Sequence, residues 1–389
     1  MGFRRTGVVV GLTVALAAGL VSPVQAAPGS PVRDALADVV AGGVPGAYAA
    51  VVEHGDTWRG SAGVGDLRTG RTPDPRGRIR VASVTKTFVA TVVLQLVGEG
   101  RVGLDDPIAD HLPGLLPYAE PITVRQLLGH TSGVPRDIAH WQTLEEIDTK
   151  RWVAFTPTQL VRLATDGVPL LFAPGTGFSY SNVGYTVLGM LVERLTGRSL
   201  ATELDRRVVR PLHLRDTSFP VYQPFLPRPA ARGYEQLYGD TLTDVTTYVW
   251  SRLFASGNVI SSPDDLNRFF RALLGGRLLP EDLLAQMKDA RPQAIGPFGY
   301  GLGLMHWPRP CGGEDWWGHG GDLPGYNTWS LHTTDLTRQV SAGMNQDLTA
   351  PAAAHEAMVF GVVPAALCDE VPVTTATTAD IPYLGPALP

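Results

Sequence analysis

The apolar run Gly46-Ala-Tyr-Ala-Ala-Val-Val-Glu53 and the stretch Trp58-Arg-Gly-Ser-Ala-Gly-Val64 have the turn residues His54-Gly-Asp-Thr57 between them. The pattern predicts two strands joined as a hairpin. Arg78 to Ala82 reads as a short strand leading into a helix at Ser83. That helix stays apolar through Phe88, Val92, Leu94 and Leu96 until Gly98-Glu-Gly100 ends it. Its apolar residues are not confined to one stripe, which predicts burial in the middle of the molecule.

From Leu104 to about Leu214 helical patterns dominate, broken by Pro/Gly loops. They include Val124 to Leu128, Thr158 to Ala164 and Thr186 to Leu195. Pro220 to Pro229 reads as a boundary. Beyond it Pro263 to Leu274 and Pro280 to Met287 look helical, and strand-like runs follow at Gly299 to Trp307, Asp315 to Gly318, Tyr326 to His332 and Val340 to Asn345. Ala352 to Ala366 suits a last helix. The order implies an α/β (α+β) fold: a mainly antiparallel sheet flanked by N- and C-terminal helices, with an all-helical region inserted. Residues 27–81 and 240–370 would form the sheet domain, 82–239 the helical one. The tail from Val371, rich in Thr, Pro and Ala, is expected to be disordered.

The N-terminus adds a location. Arg4 and Arg5, the apolar stretch Val8 to Val21 and Val24-Gln-Ala26 read as a secretory signal peptide over residues 1–26. The stretch is short for a membrane span, so a secreted chain beginning near Ala27 is expected. Export makes the two cysteines, Cys311 and Cys368, candidates for a disulfide, with two free thiols the alternative. The net charge of −5 comes without a basic stripe and argues against a nucleic-acid partner. The nine histidines show no metal-ligand spacing. Neither cofactor nor metal is expected.

Candidate chemistry begins with Ser83 and Lys86 in Val81-Ala-Ser-Val-Thr-Lys-Thr-Phe88. Only three lysines occur, Lys86, Lys150 and Lys288, and arginine serves almost everywhere else. A guanidinium keeps its proton, whereas a buried ammonium can lose one near neutral pH. One helical turn after a serine, Lys86 can therefore act as that serine's base. A second cluster, Phe172 to Tyr185, sets Tyr180 and Asn182 along one side of an extended stretch after a Pro/Gly loop. A phenol can relay protons and a carboxamide can orient a carbonyl or amide. The third cluster is Gly318-His-Gly-Gly-Asp322, at the end of a Trp-rich strand, where Gly320 and Gly321 let another backbone approach. Each cluster taken singly also suits a plain structural role.

Together, Ser-x-x-Lys, Tyr-x-Asn and His-x-Gly in this order resemble the serine penicillin-recognising hydrolases. These comprise class C β-lactamases, secreted D-alanyl-D-alanine carboxypeptidases, esterases and D-amino-acid peptidases. The Streptomyces-type carboxypeptidase is the nearest likeness. The matching segments are Arg80 to Phe88, Leu127 to Gly133, Pro174 to Asn182 and Gly318 to Gly321. The resemblance implies a β-lactamase/transpeptidase-like fold, Ser83 as nucleophile, Lys86 as its activator and Tyr180 as proton shuttle. It implies that Asn182 orients the acyl-side amide, that His319 lines the opposite wall, and that the N–H groups of Ser83 and Asp322 bind the oxyanion. It also implies a Cys311–Cys368 disulfide. His130 to Gly133 would brace the helical region.

Departures bear on the substrate. Carboxypeptidases of this kind flank the third-motif glycine with hydroxyl residues and place an arginine on the adjoining strand. Here those positions are Gly320, Asp322 and Met305. An anion beside a carboxylate site costs affinity, and each lost donor costs roughly 1–3 kcal/mol. Arg309 or His306 could compensate. The resemblance implies D-alanyl-D-alanine carboxypeptidase activity on peptidoglycan peptides. The alternatives are esterase, D-amino-acid amidase/peptidase or β-lactamase activity, or a non-catalytic peptidoglycan- or penicillin-binding protein. The expected partner is a small peptide, β-lactam or ester, and a monomer is expected.

Overall fold

The computed structural model describes residues 2, 30–138, 141–369 and 378–385. The segment read as a signal peptide therefore lies outside the described residues. Eight strands form one antiparallel sheet drawn from both ends of the chain. The hairpin Gly46–Glu53 and Asp56–Gly63 pairs with Arg338–Met344, which pairs in turn with Tyr326–Thr333 and Trp316–Leu323. Beyond these lie Met305–Trp307, Phe298–Tyr300 and Arg291–Ile295. The expected single strand Gly299 to Trp307 is thus two short strands, because Gly303, at φ +77°, turns the chain between them.

Helix Ser30–Ala41 and the helical run from Ala352–Glu356 to Val363–Leu367 pack together on one face of the sheet. Their apolar sides (Val32, Leu36, Val39, Met358, Val362, Val363) share a core with Val51, Trp329 and Val340. On the other face Pro263–Leu274 packs on the sheet, capped by Ser262, whose side chain accepts from Asp265 N. The Thr85–Gly98 helix lies deeper, with Phe88, Val89, Val92, Leu94 and Leu96 all fully buried. Phe88 stacks on Phe269 at 3.7 Å between ring centroids, tying that helix to the sheet-facing one. The helical patterns between Leu104 and Leu214 appear as a set of mostly short helices plus the long Asn182–Thr196 helix. Ser181 caps this helix, and it stops at Gly197 in the left-handed conformation.

Two expectations change. The third motif lies within strand Trp316–Leu323, not at the end of one. Only Trp316 to Gly318 pair with Met305–Trp307, so the Trp329-side edge continues while the other edge is free from His319 onward. Residues 378–385, expected to be disordered with the rest of the tail, are packed on the molecule, and Leu384 is only 1% exposed. The physical reason is that the apolar Leu384 and the backbone polar groups around it find partners in a cleft that composition does not reveal.

Cys311 and Cys368 form a disulfide across a sequence separation of 57. It ties the end of the C-terminal helical run to the loop before strand Trp316–Leu323. The chain-entropy model gives about 4 kcal/mol for a loop of this size. Reduction, or Cys368→Ala, should lower the unfolding free energy by about that amount. The check is a urea titration with and without reductant.

Candidate active site

The nucleophile turn is Ala82–Val84, a single 3-10 turn that runs into the Thr85–Gly98 helix. Ala82 has φ +47°, a strained value for a residue with a Cβ, and it aims the turn at the free edge of strand Trp316–Leu323. A Cβ on Gly321 would lie 2.4 Å from Val81 O and 3.0 Å from Ser83 N, so only glycine lets the strand approach this closely. The backbones of Ser83 and Asp322 are thereby brought side by side, as the expected oxyanion site requires.

Lys86 is fully buried. Its Nζ lies 2.9 Å from Ser83 Oγ, 2.7 Å from Asn182 Oδ1 and 2.8 Å from Ser256 O. Burial holds its pKa well below the usual lysine value, Arg136 adds to the effect, and Asp137 and Asp322 oppose it. The nitrogen also sits 4.7 Å from the centroid of the Tyr180 ring. Two donors, to Asn182 and Ser256, leave one position to accept the Ser83 proton when the amine is neutral. A Ser83 hydroxyl turned toward that lone pair would have its base in place.

Asn182 is the first residue of the Asn182–Thr196 helix, and its Nδ2 donates to Asp137 Oδ2 at 2.7 Å. The carboxamide is therefore clamped between an amine and a carboxylate, with its oxygen on Lys86. Tyr180 Oη is buried and makes no hydrogen bond among the described residues. Burial drives its pKa well above the usual phenol value, against the opposing effects of Ser83 and Arg136. The phenol thus carries a proton to give. His130 braces the start of the Asn182–Thr196 helix: its Nδ1 accepts from Ser181 N at 3.1 Å, and its ring packs 4.3 Å from that of Tyr180 and 5.2 Å from that of Tyr185.

His319 alternates along its strand with Gly321, the residue that meets the nucleophile turn. The histidine is fully buried, its Nε2 3.0 Å from Tyr300 Oη, and burial depresses its pKa to about 3. Its ring lies 6.4 Å from that of Tyr180, across the cleft from the Tyr180 loop, and Gly320 and Asp322 continue the same strand edge. Asn327 Nδ2 donates to Asp322 Oδ1 at 2.7 Å and Leu384 N donates to Asp322 Oδ2 at 2.5 Å. Burial raises the pKa of Asp322, and the Leu384 N–H, His355 and Arg136 oppose that. Its neighbour Asp347 is pushed well above the usual carboxylate range, by burial and by Asp322 and Glu235.

Two residues escaped the sequence reading. Arg136 and Asp137 follow His130-Thr-Ser-Gly133 in an irregular loop, where no periodicity marks a side chain for the cleft. Arg136 Nη2 donates to Tyr383 O at 2.9 Å and to Gly385 O at 2.8 Å, and the guanidinium lies 5.3 Å from the centroid of the Tyr180 ring. It supplies the cation that Arg309 and His306 do not. Arg309 N bonds Asp315, while His306 pairs with Asp315 at 2.9 Å and stacks on Trp317. Met305 is fully buried, and its sulfur takes the Gly320 N–H at 3.4 Å.

A family model described as Beta-lactamase matches residues 32–359. The chain belongs to the Beta-lactamase family. Esterase EstB of Burkholderia gladioli is 36% identical over 195 residues, 46% of this chain and 48% of that protein. Protein flp of Staphylococcus aureus is 30% identical over 266 residues, 67% of this chain and 51% of its own length. The chain spans about half the length of these curated relatives. Among solved structures, a D-stereospecific amidohydrolase from Streptomyces sp. superposes with a TM-score of 0.78 at 35% identity, over 87% of this chain and 98% of that one. D-amino acid amidase from Ochrobactrum anthropi SV3, bound to D-phenylalanine, gives 0.72 at 29% identity, over 81% and 90%. An octameric penicillin-binding protein homologue from Pyrococcus abyssi shares the fold at 24% identity, so the comparisons lend the expected monomer no support. No described helix is long and apolar enough to cross a membrane.

The geometry fixes the sign of the pH dependence. Lys86 must be neutral to take the Ser83 proton, and its lowered pKa leaves it so above an acid limb. The rate constant kcat/KM for p-nitrophenyl acetate should rise with pH along that limb and then level. His319, with a pKa of about 3, is neutral throughout, so the limb should survive in His319→Gln. Lys86→Arg should lose about 10³-fold, within the range of roughly 10²–10⁴ that a general base supplies. A limb that vanished in His319→Gln would reassign the base.

Proposed function

We propose that this chain is a secreted serine amidohydrolase that cleaves short D-amino-acid amides or peptides through a covalent acyl-enzyme. The carrying observation is Asp322. Its carboxylate, next to the nucleophile, accepts a backbone N–H at 2.5 Å, where a substrate's amine or acylamino N–H would stand. A buried carboxylate there favours a cationic or N–H-bearing acyl residue and disfavours a carboxylate. Similarity to the Streptomyces D-stereospecific amidohydrolase over nearly its whole length supports the stereochemistry. The disulfide accords with an oxidising destination.

In this reaction Ser83 Oγ attacks the scissile carbonyl as its proton passes to neutral Lys86. The backbone N–H groups of Ser83 and Asp322 hold the oxyanion. The Tyr180 phenol protonates the departing nitrogen and recovers a proton from the Lys86 ammonium, 4.7 Å from its ring. Water then attacks the acyl-enzyme, losing its proton to the same pair, and frees Ser83.

Carboxypeptidase action on D-alanyl-D-alanine ends is the second reading, favoured by Arg136. Its guanidinium contacts the carbonyl of Gly385, one residue beyond the Leu384 carbonyl at Ser83, where a terminal carboxylate would sit.

A panel of D-phenylalanine amide, a D-alanyl-D-alanine peptide, p-nitrophenyl acetate and benzylpenicillin separates the readings. The amide should give the highest kcat/KM. In Asp322→Asn its kcat/KM should fall about 10- to 100-fold more than that of the ester, as expected for a charged hydrogen bond of roughly 1.5–3 kcal/mol. Equal losses for the two substrates, or preference for the D-alanyl-D-alanine peptide, would transfer the assignment to the second reading. Rapid penicillin turnover would make it a β-lactamase.

A further inference from the structure

The cleft just described is occupied by the protein's own C-terminal segment. Ser83 Oγ donates to Leu384 O at 2.9 Å, and Leu384 N reaches Asp322. Arg136 spans Tyr383 O and Gly385 O, and Asn182 Nδ2 lies 3.4 Å from Gly385 O. The Leu384 side chain fills the space beside Gly320: a Cβ there would come within 3.2 Å of Leu384 Cδ1 and within 3.0 Å of the Trp329 ring. Ser83 Oγ, the Asp322 carboxylate, Arg136 and Asn182 are thus all engaged by residues 383–385.

The pose is that of an inhibitor, not of a substrate about to react. The Leu384 carbonyl oxygen takes the proton of Ser83, so it is not turned away from the nucleophile toward the backbone N–H groups of the oxyanion site. With its proton committed there, Ser83 Oγ can only accept from Lys86, and the lysine is held as a donor. The segment therefore occupies the site and at the same time withholds the proton transfer that begins the reaction.

We propose that residues 378–385 are an intramolecular inhibitor, and that the enzyme stays latent until this segment is displaced or cut away. The inference rests on the site assigned above. Cys368 is fixed by its disulfide ten residues before Thr378, so the segment is tethered near the cleft. Such a tether gives an effective concentration in the millimolar range, enough for a weak ligand to compete with dilute substrate. A free apolar residue with an N–H on one side and a carbonyl on the other is also the chemistry the Asp322 and Gly320 wall would select in a substrate.

The test uses the full chain with residues 371–377 replaced by a specific endoprotease sequence, folded intact and then cut. Ester hydrolysis is measured before and after the cut, with a synthetic peptide of residues 378–389 added back. Cutting should raise kcat/KM about tenfold or more, mainly through a lower KM, as removal of a competing ligand requires. The added peptide should restore inhibition competitively. Leu384→Asp in the uncut chain should match the cut enzyme, because it sets a charge against the apolar pocket and the Asp322 carboxylate. Fluorescence anisotropy of the labelled peptide on cut Ser83→Ala protein reads occupancy without catalysis. Binding there would uphold the tail's role even if the substrate assignment failed. Equal kcat/KM for intact, cut and Leu384→Asp chains, with no peptide binding, would overturn the proposal.

Discussion

The structure is organised around one buried amine. Lys86 has no exposed surface, and an isolated ammonium in such a place would carry a desolvation cost of several kcal/mol. The fold meets that cost by converging three parts of the chain on Nζ: the nucleophile turn with Ser83, the start of the Asn182–Thr196 helix with Asn182, and the carbonyl of Ser256. Phe254, just before Ser256, takes φ +34°, and Ala82, just before Ser83, takes φ +47°. Strained backbone at both approaches to the lysine is the cost of pointing these groups at a single atom. The deep apolar helix is what keeps the amine dry, and dryness is what lowers its pKa into a useful range.

The same logic divides the charges of the cleft by depth. Around Lys86 the surroundings favour the neutral amine, while Asp137 and Asp322 limit how far the pKa can fall. Farther out, Arg136 and Asp322 both contact backbone groups of residues 383–385, a cation on the carbonyls and an anion on an N–H. A peptide bond presents these two dipoles in alternation, so the wall is complementary to a peptide backbone before any side chain is considered. Gly320 then leaves room for an apolar side chain of the residue that Asp322 holds.

How much of this could be read from sequence depended on the range of the interaction. Ser83 and Lys86 are three residues apart, and Tyr180 and Asn182 two apart, so local geometry alone brings each pair together. The hairpin Gly46 to Val64 and the Pro263 to Leu274 helix were equally legible, from two runs flanking turn residues in one case and from a helical pattern in the other. Arg136 and Asp137 were not, because their direction is set by hydrogen bonds to residues 45 and more positions away: Asp137 to Asn182, and Arg136 to the C-terminal segment. The placement of 378–385 was least visible of all. A Pro- and Thr-rich tail reads as unable to bury itself, and the cavity that receives Leu384 is assembled from Gly320, Trp329 and Asp322, none of which advertises a vacancy in sequence.

This last point bears on how the cleft and the tail relate energetically. The segment contributes few apolar side chains, Leu384 foremost, so the surface it buries is small and its hold must be correspondingly modest. Its polar contacts replace water rather than add to nothing, and each is worth on the order of 1 kcal/mol net. A ligand of that strength would dissociate readily if free, and only a covalent tether gives it standing occupancy. Strong enough to occupy the cleft while tethered, weak enough to be displaced by a better-fitting acyl residue: both properties follow from a short segment that bonds polar groups of the cleft while filling a single apolar subsite. The fit of the wall to peptide backbone and the capture of the protein's own tail are thus one physical fact seen from two sides.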